Sequence, residues 1–153
     1  MRLHRVAYGL FEHEAGASWP AGVDSWHHLD GEVVLTFSDG ATEFISWCSE
    51  PVQYSVGRSM TTHFRPEALR PVDMTAHPIW RGIVDSDVSL RFMDDEHQVL
   101  QIASGGRAVF ISSQYEAGVF FGDCVRVSEK NPLDLLVKRT CASFTGWSAC
   151  RER

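Results

Sequence analysis

Long apolar runs are missing from this chain. No stretch of its 153 residues approaches the roughly 20 consecutive apolar residues that a membrane-crossing helix needs. The opening "MRLHRVAYGLFEHEAG" also lacks a signal-peptide core, because His4 and Arg5 interrupt it early and Glu12 and Glu14 follow. The expected compartment is therefore the cytoplasm, with no membrane contact.

Positive charge is in short supply. Lys and Arg number 14 against 20 Asp and Glu, a net charge of −6 with the histidines neutral. Such a chain gains little from phosphate contacts and counterion release, so nucleic acid is excluded as an expected partner. A basic protein partner fits the field better. The plainer account of −6 is that it keeps the domain soluble.

Cysteines are few and not spaced for chemistry. They stand at 48, 124, 141 and 150, with none of the C-x-x-C spacing of a zinc ribbon or redox motif. In a reducing compartment they are expected as thiols. Cys141 and Cys150 are the pair to watch if the protein is exported. Cys124 falls in an expected strand and Cys48 ends another, and neither has a histidine beside it in sequence. A thiol so placed usually packs as a small hydrophobe.

Other signatures are absent too. There is no H-E-x-x-H, no G-x-S-x-G and no P-loop. "SGGRA" at 104–108 leads into a strand rather than a helix, so it is expected as a hairpin turn. His27 and His28, in "HHLD", would point to opposite faces of a strand and could not share one metal ion. No catalytic residue, metal or cofactor is assigned.

Helix signals are rare. "NPLDLLVKR" at 131–139 is the best of them, with Asn131 to cap, Pro132 in the first turn and Lys138 and Arg139 at the far end. "HPIWRGIV" at 77–84 reads as one helical turn, with Trp80 as core. Residues 11–26 carry Gly16, Pro20 and Gly22 and are expected as a loop. The last dozen residues have no period and are expected to be poorly ordered.

What remains is β-structure. "VVLTFSDGATEFIS" (33–46) aligns without gaps to "VLQIASGGRAVFIS" (99–112), with identities at Val33/Val99, Ser38/Ser104, Gly40/Gly106, Phe44/Phe110, Ile45/Ile111 and Ser46/Ser112. Asp39-Gly40 and Gly105-Gly106 are dipeptides that two-residue hairpin loops prefer. Closing both loops that way puts Val33, Leu35 and Phe37 on one face with Thr42, Phe44 and Ser46. In the second hairpin it puts Leu100, Ile102, Val109 and Ile111 together. The greasier face thus switches between hairpins, which favours convergence over duplication. That second patch must be covered by the 131–139 helix, by another strand layer or by a second copy, and Phe110 is expected in the main core.

Further strands are expected at 4–11, 51–57, 87–93 and 119–127, with "DDEH" (94–97) as a four-residue hairpin loop. The fold class is mostly β. Eight to ten antiparallel strands form one domain over 1–153, a sandwich or partly open barrel with one short C-terminal helix.

Two functions are weighed. The first is a non-enzymatic protein-binding module, in concrete form an immunity-like protein of bacterial type that neutralises a basic toxin domain. Its contact residues would be Asp94, Asp95, Glu96 and His97 on the hairpin tip and Trp19 in the Gly-rich loop. The second is a small-ligand-binding or enzymatic β-barrel whose pocket is lined by Trp26, Trp47, Tyr54 and Phe120. Five tryptophans suit either, since Trp serves both hot spots and cores. A homodimer is a further option.

Overall fold

Alternation dictates the first strand. In "LHRVAYGL" the side chains of Val6, Tyr8 and Leu10 fall on one side, and all three are buried. This is β1 (Leu3–Leu10) of a computed structural model that describes residues 1–15, 26–116 and 119–134. The other elements are β2 (Trp26–Leu29), β3 (Glu32–Phe37), β4 (Thr42–Cys48), β5 (Ser55–Ser59), β6 (Arg70–Asp73), α1 (Pro78–Arg81), β7 (Ser89–Phe92), β8 (Val99–Ser104), β9 (Arg107–Glu116) and β10 (Val119–Ser128).

The strands make two antiparallel five-stranded sheets, ordered β5-β4-β3-β1-β6 and β2-β10-β9-β8-β7. They pack face to face, with β4 against β10 and β5 against β8 and β9. Among the described residues no closed barrel forms. One core lies between the sheets, built from Val6, Tyr8, Val33, Leu35 and Ile45 on one side and Leu100, Ile102, Val109, Ile111 and Val125 on the other. The patch expected on the second hairpin is thus covered by the opposite sheet, the strand layer among the three covers considered. No helix among the described residues is long and apolar enough to cross a membrane.

Trp80 is fully buried on α1, where His77 caps Ile79 N through its ring nitrogen and Pro78 takes the first turn. At the other end of the chain, Asn131 Oδ1 accepts from Leu133 N at 3.1 Å and residues 132–134 start a helix. Its expected continuation to 139 lies outside the described residues, as do Cys141, Cys150 and the final dozen residues.

The structure corrects four sequence expectations. The β3–β4 loop has three residues, not two: Thr36 faces Thr42, Phe37 N bonds to Ala41 O, and Gly40 alone has positive φ. Val33 and Leu35 therefore face Ile45 and Glu43 rather than sharing a side with Phe44. Residues 51–54 are a turn, not strand: Tyr54 adopts φ 67, outside the extended region. Extended pairing begins only at Ser55.

Phe110 is buried, but on the far face of its sheet. It packs there in a separate small cluster with Val99, Met93, Ala108 and Leu133, as the parity opposite to Val109 and Ile111 demands. The acidic hairpin loop, finally, is longer by one residue. Met93 N bonds to Val99 O, leaving Asp94 to Gln98 between them.

Candidate functional site

The 94–98 loop is held by its own first residue. Both Asp94 carboxylate oxygens accept backbone N–H groups, Gln98 N and Val99 N, each at 2.9 Å. Asp94 thus closes the turn, as an aspartate at a loop start commonly does. His97 sits at φ 57, and its ring stacks on Phe92 with centroids 3.9 Å apart and planes 3° apart.

The loop then docks on β5. Val56 N donates to His97 O at 2.7 Å, and the Ser55 hydroxyl donates to Glu96 O at 2.7 Å. Asp95 and Glu96 are left exposed on a backbone that is tied down on both sides.

Beside this loop runs a groove of about 460 Å³ along β5, lined by Val56, Arg58, Met60, Phe92, His97 and the carboxylates Glu43 and Glu50, among others. Arg58 grips Glu43 through two parallel hydrogen bonds of 2.8 and 2.7 Å, a geometry stronger than a single contact. Met60 stands 64% exposed at the groove, a flexible apolar side chain of the kind adaptable binding surfaces use.

A second groove, of about 430 Å³, lies on the outer face of the first sheet. Ala7, Val34, Phe44, Pro66, Leu69 and Pro71 form its apolar walls. Glu32, almost fully buried there, accepts from Thr62 Oγ1 at 2.7 Å and His63 N at 3.0 Å, so its carboxylate fastens the 62–64 segment to the sheet.

The four aromatics named for a pocket go to different places. Trp26 is exposed on β2, with the Arg126 guanidinium 4.3 Å over its ring. Trp47 packs at the margin of the core. Tyr54 belongs to the turn before β5, and its carbonyl accepts from Ser113 Oγ. None of the three lines either groove. Trp19 and the side chain of Phe120 lie outside the described residues.

The histidine pair does divide between faces. His27 points inward, its Nδ1 3.0 Å from the Tyr8 hydroxyl, which also accepts from Trp80 Nε1 at 2.7 Å. The His77 ring meets His27 edge-on at 4.4 Å. Burial pushes the Tyr8 phenol well above its ordinary range, against a smaller downward pull from the Trp80 hydrogen bond. His28 points outward.

Asp30 closes the same "HHLD" segment and meets His13 and Glu14, with one ligand atom of each within 4.8 Å of the others. These three could approach a metal ion together. Both Glu14 oxygens already accept backbone N–H groups, from Phe11 at 2.9 Å and Asp30 at 2.6 Å, so the cluster is complete as a clasp across the loop.

The acidic tip was legible because charge clusters on turns are visible in sequence. The Glu43–Arg58 grip, the His97–Phe92 stack and the place of Met60 were not, since each depends on cross-strand register. Comparison with protein families, curated proteins and solved structures finds no match to this chain.

Proposed function

We propose that this protein is a non-enzymatic protein-binding module that presents Asp95 and Glu96, with the adjoining β5 groove, to a basic partner. In its concrete form it is an immunity-like protein of bacterial type that covers a basic toxin domain. The observation that supports this is the anchoring of the loop. Asp94 closes it from within and β5 holds it from outside, so two exposed carboxylates stand on a backbone that needs little ordering on contact. Carboxylates so placed act mainly on the rate of encounter.

The test is binding kinetics against the product of the neighbouring gene. Changing Asp95 and Glu96 to Ser should slow association about tenfold at low salt and leave dissociation nearly unchanged. An association rate indifferent to both the substitutions and added salt removes the loop from the function. Asp94→Ser is expected to behave differently: it strips two backbone N–H groups of their acceptor and lowers stability by about 1–3 kcal/mol. Turnover of a small molecule by the purified protein would move the function to the ligand-binding alternative, whose one structural support is the apolar groove on the first sheet.

A further inference from the structure

Two cysteines among the described residues sit in opposite settings. Cys48 ends β4, half-buried, and its thiol donates to Glu50 O at 3.0 Å. A carbonyl takes a hydrogen bond from S–H but cannot take its proton. Cys124, on β10, lies with its sulfur 2.9 Å from His28 Nε2, a nitrogen 96 residues away in sequence. In the tautomer that carries its proton on Nδ1, His28 presents Nε2 to the thiol as a base.

Strand register produces this meeting. β2 pairs with β10 so that His28 faces Arg126 and Leu29 faces Val125. Leu29, Val125 and Val127 are buried in the core, so the alternate residues His28, Cys124 and Arg126 share the outer face of the sheet. The β9–β10 ladder is irregular between Phe120 and Val125, and Gly122 there has φ 92. Cys124 thus follows a bulge, next to exposed Asp123. β2 is the edge strand of its sheet, which places the pair at a margin. Cys124 itself is only 4% exposed, so a reagent must be small to reach it.

We infer that Cys124 and His28 form a nucleophile–base pair and that Cys124 is a modification site for small oxidants of the peroxide class. His28 Nε2 takes the thiol proton, and the sulfur attacks one peroxide oxygen. The O–O bond breaks, and the departing hydroxide takes the proton from His28 and leaves as water. Sulfur is oxidised to sulfenic acid as the peroxide is reduced.

The two thiols make the test sharp, because exposure and chemistry rank them oppositely. The full-length reduced protein is treated with hydrogen peroxide for increasing times, the peroxide is destroyed with catalase, and the thiol remaining at each cysteine is alkylated in denaturant and quantified by peptide mass spectrometry. Exposure alone makes Cys48 the faster. The pair makes Cys124 faster, by about tenfold or more, and His28→Gln removes that advantage while leaving the Cys48 rate unchanged. A Cys124 rate equal to or below that of Cys48 in the unaltered protein overturns the inference, as does a folded His28→Gln variant with an unchanged Cys124 rate. Because the first comparison uses no variant, it decides the matter even if the substitution disturbs folding.

Discussion

The β3–β4 and β8–β9 hairpins share six identities over fourteen aligned residues, yet they fold in different registers. In the second, Ser104 faces Arg107 across Gly105 and Gly106, with φ 53 and 85. Two consecutive positive φ values define the tight two-residue loop. In the first, Gly40 N bonds to Phe37 O, Phe37 N bonds to Ala41 O, and only Gly40 is positive, at φ 86. That is a three-residue loop ending in a glycine bulge.

One extra loop residue changes which first-strand residues face the core. The second strands agree in orientation: Ile45 and Ile111 both enter the core, and Phe44 and Phe110 both point away from it. The first strands do not. Val33 and Leu35 face the core, but their aligned counterparts Val99 and Gln101 face outward, and Leu100 and Ile102 take the inner positions. The switch of greasy face seen in the sequence is therefore a register slip made by the turn. An ungapped alignment cannot show it, because the slip lies in hydrogen bonding and adds no residue.

The largest expected effect breaks the apparent equivalence directly. Leu35→Gln places an amide in the core without a partner and should cost about 2–4 kcal/mol. The reciprocal change at the aligned position, Gln101→Leu, loses only a surface hydrogen bond from Arg91 and should stay within about 1 kcal/mol. Urea unfolding of both variants measures the difference. Equal penalties would mean that the two first strands present the same face.

The two hairpins also border different chemistry. Tyr8 lies opposite Val33 and brings a phenol against the first hairpin, where Trp80 and His27 bond to it. The second hairpin turns the aliphatic side chains of Leu100, Ile102, Val109 and Ile111 inward. Tyr8→Phe strips a buried indole N–H of its acceptor and should cost about 1–3 kcal/mol at neutral pH.

The sign with pH follows from the raised phenol. The folded protein holds the proton more tightly than the unfolded chain, so the hydroxyl's stabilisation is complete below about pH 10, where an unfolded tyrosine titrates. Above that pH the unfolded chain loses its proton first and stability falls. The Tyr8→Phe variant lacks this loss, so its deficit should shrink by about 1.4 kcal/mol per pH unit. A deficit that stays constant from pH 9 to 11 would show that Tyr8 is not shielded.

Alternation carried most of the fold. Val6, Tyr8 and Leu10, and the Leu100, Ile102, Val109 and Ile111 patch, are legible as buried faces because period-2 burial is written along each strand. Tyr54 reads as strand in the sequence because a residue at φ 67 looks like any β-former in a string. Phe110 reads as main core but lies in the smaller cluster, because hydrophobicity alone does not say which side of a sheet is the main core. At the candidate site the acidic tip was visible but its anchoring was not. Nothing in "MDDEHQ" says that Asp94 spends both oxygens on its own loop, or that β5 will hold the backbone of Glu96 and His97. Cys124 and His28 lie too far apart in sequence for any motif to join them.

The smallest effect sharpens the comparison at the turns themselves. Asp39 aligns with Gly105, but only Gly105 has positive φ. An ideal Cβ at Gly40, Gly105 or Gly106 would meet no atom within 4 Å, so substitutions there test backbone conformation alone. At φ 53, Gly105 occupies the left-handed region that Asp and Asn tolerate, and Gly105→Asp should change stability by about 0.5 kcal/mol or less. Gly106→Val and Gly40→Val, at φ 85 and 86, should each cost about 1–2 kcal/mol. The reciprocal exchange, Asp39→Gly, loses the carboxylate that accepts from Ala41 N at 2.9 Å and adds freedom to the unfolded chain, for a loss of about 0.5–1 kcal/mol. If the two loops were the same turn, glycine at 39 would relieve strain and stabilise the protein instead. Thermal unfolding of the Asp39→Gly and Gly105→Asp variants therefore separates the three-residue loop from the two-residue one.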